Sequence, residues 1–202
     1  NLQVTESMFS TFDIDRLKTE ALLFQTGYVT IKDVQDRLFT LGYPNGEVKT
    51  AFLEILLQSF AGETNGADTA KYALLSAYLR NEDFDAFFGT VSALFASIPY
   101  TLESKRDEAY FHTLFYLMVS ASGVNARSQV MSCDGRIDLV MEFPDTVYVI
   151  EFKCNQSAAA AIKQIHDKGY ADMFRQTGKK IVVVGINFDS AQRNVAEWKW
   201  ET

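Results

Sequence analysis

The sequence predicts an α+β protein in which a helical N-terminal region carrying a small β-hairpin precedes an α/β core with a mixed central sheet. Three observations predict it. Apolar residues alternate or run on without a break over 136–143, 146–153, 180–188 and 195–200, as strands do, and the third of these runs suits a buried position. Apolar residues recur at i, i+3 and i+4 over 69–79, 84–98 and 103–121, as helices packed on one face require. At 202 residues, with 48% apolar and 13% aromatic residues, the chain can bury a true core.

The elements follow in order. Residues 17–25 have helical spacing and stop at Gly27, a helix-ending residue. Short β-prone runs over 28–31 and 37–41 flank a polar connection, and Pro44-Asn45-Gly46-Glu47 opens a second helix that runs to about Gln58. Helix, hairpin and helix resemble part of a winged-helix unit. Lys49 is the only base between Glu47 and Gln58, so the unit reads as a connector rather than a DNA reader. Polar, glycine-containing 62–67 is the expected linker. A helical pair then ends at Pro99, and a longer helix over 103–121 closes at Ser122-Gly123. The remainder reads as three antiparallel strands, an alanine-rich helix from Ala158 suited to close packing on a sheet, and two further strands. Domains are therefore expected at 1–98 and 99–202.

The chemistry concentrates in Gly135-Arg136-Ile137-Asp138 and in Ile150-Glu151-Phe152-Lys153. Side chains alternate along 146–153, so Val147, Val149, Glu151 and Lys153 share one face while Tyr148, Ile150 and Phe152 take the other. The turn-forming Pro144-Asp145-Thr146 folds 136–143 back as the hairpin partner, which brings Asp138 near Glu151. One Asp, one Glu and the Phe152 backbone carbonyl form half a shell for Mg²⁺ or Mn²⁺, with open positions for water and a phosphate oxygen. A lysine two residues beyond the glutamate can orient the attacking water and stabilise charge on phosphate. The plainer alternative is a surface hairpin whose Glu151 and Lys153 form an exposed ion pair, worth at most about 1 kcal/mol. Against it, 147–152 is apolar on both faces, and charge at the end of a covered strand is costly unless paired or functional.

On these residues, with Gln164-Ile165, Lys168-Gly169-Tyr170-Ala171 and 180–188, the chain resembles the PD-(D/E)XK nuclease superfamily over roughly 103–200. In detail it is similar to the family that carries such a domain behind an AAA-ATPase-like domain. The resemblance implies a restriction-endonuclease-like core, Asp138 and Glu151 as metal ligands, and Lys153 as catalytic lysine. It also matches Glu108 to the acidic residue on the helix before the sheet, a further metal ligand. Relatives often carry a glutamate six residues ahead of the glycine, where this chain has Gln129. Gln164 shares a helical face with Ala161 and Lys168 and can reach the site or a substrate phosphate, with a solvated polar face as the alternative; Tyr170 is a candidate groove residue. His112, four residues after Glu108, reads as a hydrogen-bonded core residue, because Mg²⁺ prefers oxygen, and His166 as surface.

The implied function is metal-dependent hydrolysis of nucleic-acid phosphodiesters, DNA ahead of RNA. The alternative is a non-catalytic module that docks an ATPase-like domain or a partner protein. A net charge of −7 excludes a broad basic nucleic-acid surface, so any affinity must be local. No run of 18 apolar residues and no export signal is present, so neither a membrane span nor secretion is expected and the cytoplasm is the expected compartment. Cys133 and Cys154 form no ligand motif or disulfide framework. A chain that opens at Asn1 without methionine is expected to be part of a longer protein, with an ATPase-like domain on its N-terminal side.

Overall fold

A computed structural model describes residues 2–9, 18–61, 67–98 and 107–202. The linker expected over 62–67, except Ala67, the stop at Pro99 and the start of the helix expected from Glu103 lie outside those residues. The chain divides into two compact units, 1–52 and 53–202.

In the first unit, strands β1 (Leu2–Thr5), β2 (Thr30–Gln35) and β3 (Leu38–Gly42) form an antiparallel sheet in the order β1-β3-β2. Helix α1 (Thr19–Gln25) buries Ala21 in a small core with Met8 and Leu41. The expected hairpin is present. Its third strand, β1, is not among those expected: Leu2-Gln3-Val4-Thr5 alternates apolar and polar over four residues only, and it pairs with β3, Leu2 opposite Leu41 through Thr5 opposite Leu38. Helix α2 (Gly46–Ala61) begins as expected, with Asn45 Oδ1 accepting the Val48 N–H at 2.9 Å.

The second unit holds helices α3 (Ala67–Arg80), α4 (Phe84–Ser97), α5 (Glu108–Ala121) and α6 (Ala158–Asp167) around a five-stranded sheet. Its strands are β4 (Asn125–Ser132), β5 (Gly135–Glu142), β6 (Thr146–Cys154), β7 (Lys180–Asp189) and β8 (Asn194–Glu201), in sequential order. Only β6 and β7 run parallel, joined through α6, so the sheet is mixed.

Helices α3 and α4 pack with the sheet of this second unit. Phe84 stacks on Trp200 at 4.7 Å and Phe88 on Trp198 at 4.8 Å, both rings of β8. Tyr148 Oη donates to the buried Leu79 carbonyl at 2.7 Å, and Asn194 Nδ2 to the Ser92 carbonyl at 3.0 Å. Helix α5 ends at Gly123, whose φ of +79° closes the helix in the left-handed conformation that glycine adopts without strain.

The two faces of β6 behave as alternation requires. Tyr148, Ile150 and Phe152 lie in the main core beneath α4 and α5, whereas Val147 and Val149 join Ile162, Ile165 and Tyr170 on the α6 side. Helix α6 is capped by Ser157 Oγ, which accepts the Ala160 N–H at 3.1 Å, and it lies hard against β7. A Cβ on Gly185 would stand 2.3 Å from the Ala158 carbonyl oxygen and 3.0 Å from Ala161 Cβ.

Gly185→Ala therefore forces α6 off the sheet. In urea unfolding it is expected to cost about 1–3 kcal/mol, the range for overpacking a tight site; an unchanged midpoint would show that α6 has slack there.

Candidate active site

Asp138 and Glu151 meet where the sheet loses its regularity. The β5–β6 register runs from Glu142 opposite Val147 to Leu139 opposite Ile150, so the next rung would set Asp138 against Glu151. Regular pairing stops at that rung. Ile137 and Val140, three positions apart, both lie on the α6 side, while Leu139 and Met141 lie in the main core. Strict alternation would send Ile137 and Val140 to opposite faces, so β5 changes phase at Asp138. The Asp138 carboxylate ties the strands where the ladder ends, its Oδ2 accepting the Phe152 N–H at 3.0 Å.

Glu151 is 2% exposed. Its Oε1 accepts from Lys153 Nζ at 3.1 Å and from Gln164 Nε2, while its Oε2 is buried with no partner. Lys153 Nζ also donates to the Phe152 carbonyl at 2.9 Å. The Glu151–Lys153 ion pair thus forms, but with side chains only 3% and 12% exposed it is not the solvated pair of the plainer reading. Burial first, then the charge of Asp138, pushes the Glu151 carboxyl up to about 7, and Lys153 offsets this only in part.

Glu108 opens α5 just after its cap, Asp107, whose Oδ1 accepts the Tyr110 N–H at 3.1 Å. Burial raises the Glu108 carboxyl above its usual range. Lys153 pulls it down, Asp138 pushes it up, and a hydrogen bond from the Cys154 backbone lowers it, so Glu108 lies within the field of the same charged group.

One turn along α5, His112 pairs through Nδ1 with Gln129 Nε2 at 3.1 Å and lies 4.9 Å from the Phe152 ring. Burial lowers its pKa, opposed by Asp138, and its Nε2 is buried without a partner. Gln129 stands in register with Asp138 on the neighbouring strand, between Ser128 opposite Leu139 and Val130 opposite Ile137. Its φ of +56° lies in the left-handed region. Between α5 and these strands opens a cavity of about 510 Å³ reached by Glu108, His112, Tyr116, Gln129, Arg136 and Asp138.

Of the residues singled out from sequence, Glu151 is hydrogen-bonded by Lys153 and Gln164, Asp138 reaches the same strand through the Phe152 N–H, and Glu108 lies within their field of charge. Lys168 sits exposed at the end of α6, and Tyr170 is buried on the α6 side against Gly135 instead of lining a groove. His166 is on the surface beside Glu201. The His112–Gln129 pair and the Tyr116–Arg136 walls were missed. Their one signal is the spacing of Glu108, His112 and Tyr116, which places all three on one helical face.

Among the described residues, no three His, Cys, Asp or Glu side chains converge tightly enough to hold an ion alone. The donors at hand are oxygens: the Asp138 and Glu151 carboxylates and the Phe152 carbonyl. A hard divalent cation that keeps several waters suits such a set, and the unpartnered Glu151 Oε2 is an oxygen free to meet one.

The raised Glu151 pKa carries a definite pH dependence. The folded chain keeps this proton from the ordinary value of 4.5 up to about 7, where the unfolded chain releases it. Its contribution to stability is therefore complete below the unfolded value and is lost as pH rises through that window. Urea unfolding in a chelator should show the wild type losing stability relative to Glu151→Gln as pH rises from 4.5 to about 7, by a few kilocalories per mole. Parallel curves would show that Glu151 is not so perturbed.

Comparison with other proteins agrees with this geometry. Residues 106–198 match the PD-(D/E)XK nuclease superfamily. The chain is 35% identical over 204 residues to an uncharacterized protein in the vnfD 5′ region of Azotobacter chroococcum mcd 1, a match that covers 96% of this chain and 39% of that protein. No solved structure matches. The mixed sheet flanked by helices is consistent with a restriction-endonuclease-like core, and no helix among the described residues is long and apolar enough to cross a membrane. The segment that gathers Asp138, Glu151 and Lys153 at the break between β5 and β6, residues 106–198, is the one that matches the PD-(D/E)XK nuclease superfamily.

Proposed function

We propose that this chain is a nuclease that hydrolyses nucleic-acid phosphodiesters with Mg²⁺ or Mn²⁺, acting on DNA ahead of RNA. The observation that carries the proposal is the meeting of Asp138, Glu151 and Lys153 at one broken rung, with one oxygen of the buried Glu151 left without a partner. Asp138, Glu151 and the Phe152 carbonyl would hold the cation, with Glu108 at its margin. When bound, the metal supplies Lewis acidity towards a phosphate oxygen and acidifies water. Lys153, already fixed between Glu151 and the Phe152 carbonyl, would orient the attacking water and stabilise charge developing on the phosphate. Gln164 holds Glu151 Oε1 and so fixes the carboxylate's orientation.

The same reading keeps 99–202 as the nuclease-like domain and 1–98 as the tail of an AAA-ATPase-like region lying N-terminal to it, in the cytoplasm. The relative's greater length leaves room for such a domain, and the two free cysteines suit a reducing compartment. A second reading, a non-catalytic docking module, is favoured by the net charge of −7 and by the neutral Gln129 beside Asp138.

Purified protein with Mn²⁺ is expected to cut DNA. Asp138→Asn and Lys153→Met should each lower the rate about 10²-fold or more with unchanged circular dichroism. Cleavage of no form of DNA or RNA, or variants as active as the wild type, would favour the docking module.

A further inference from the structure

We propose that the cavity between α5 and the β4–β5 edge is a subsite for one unpaired nucleotide, so that the protein acts on single strands, flaps or frayed ends in preference to paired duplex. The proposal rests on the nuclease reading and names its substrate class. At about 510 Å³ the cavity falls within the ~300–1,000 Å³ range of pockets that enclose small organic ligands. A paired base can enter such a space only by leaving its stack and its partner, whereas an unpaired one enters without that cost.

The walls carry what a nucleotide requires. On α5, Glu108, His112 and Tyr116 follow one another at four-residue steps along one face, so the Tyr116 ring stands two turns from the charged cluster as a platform for stacking. Facing it, Gln129 is held in the left-handed conformation and one end of its amide is committed to His112. Whichever way that amide is turned, its other polar atom is left for a base edge. A non-glycine residue kept at such a φ is strain of the kind that persists at binding sites. Along β5, Arg136 lies two positions from Asp138, roughly 7 Å, on the same cavity wall. Its guanidinium is placed to grip the phosphate next to the one Asp138 addresses. The subsite thus supplies local affinity that the overall acidic charge does not.

Fluorescence anisotropy on a short labelled single strand and on the blunt duplex of the same sequence, with Ca²⁺ to suppress turnover, tests this. The single strand is expected to bind about tenfold tighter or more. Tyr116→Leu, which keeps apolar bulk beneath the helix, should weaken single-strand binding about tenfold and leave duplex binding nearly unchanged, while Tyr116→Phe restores it. Gln129→Asn, which tolerates the left-handed backbone, should also weaken the single strand. Equal affinity for the two forms, or single-strand affinity indifferent to Tyr116→Leu, would overturn the subsite. A parallel Mn²⁺ cleavage assay separates the two ideas. Asp138-dependent cleavage indifferent to strandedness and to Tyr116 rejects the subsite alone, whereas Tyr116-dependent single-strand binding without any cleavage rejects catalysis and retains the subsite.

Discussion

The placement of the Glu151 carboxyl at the buried end of a central strand is the constraint on which the site depends. A carboxylate there has lost its water and gained Asp138 as a neighbour, and both effects oppose ionisation. Lys153 and Gln164 satisfy one oxygen and leave the other bare. Much of the surrounding geometry can be read as a response to that placement. The lysine bridges Glu151 and the next carbonyl, the amide reaches in from α6, and Glu108 approaches from the start of α5 into the same field of charge. A buried charged cluster of this kind is weak as a source of stability, since apolar side chains of similar volume can pack there as well.

The rest of the second unit holds that strand end still. The β6–β7 pairing continues past Glu151 to Cys154 opposite Phe188, which braces the strand on one side after β5 has departed on the other. Helix α6 delivers Gln164 from a fixed height because Gly185 admits it to contact with β7, and because Ser157 and Glu197 satisfy its first amides. Opposite, α5 sets Phe115 against Phe152 and stacks Phe111 on Phe188, so Glu108 and His112 are carried by a helix with little freedom to shift. The departure of β5 from regular alternation then does two things. It frees Asp138 to bond the Phe152 amide, and it opens the space that Gln129 and Arg136 border.

Much of this was legible in the sequence, for reasons that apply residue by residue. Period-two alternation over 146–153 placed Glu151 and Lys153 on one face, and the Pro144-Asp145-Thr146 turn fixed the strand that brings Asp138 beside them. Helical spacing from Ala161 pointed Gln164 at the sheet. Alternation could not foresee its own failure at Asp138, because the phase change is settled by pairing with two neighbours at once. Nor could it show that Gln129 and His112 would bond across 17 residues, or that the four alternating residues Leu2 to Thr5 would find a partner in β3. Tyr170 was misplaced because a tyrosine after a helix end suits a groove or a core equally, and here the space above Gly135 claims it. Helix α4 is held to the sheet by Phe84 on Trp200 and Phe88 on Trp198, pairings that the helical spacing over 84–98 does not encode.

The cation site proposed at the broken rung between β5 and β6 is built from two carboxylates, Asp138 and Glu151. Calorimetric titration of Mn²⁺ into the wild type and into the Asp138→Ala, Glu151→Ala double variant tests it most directly. The account predicts saturable binding by the wild type that vanishes in the double variant. Equal binding by both proteins, or none by the wild type with DNA absent or present, would contradict it.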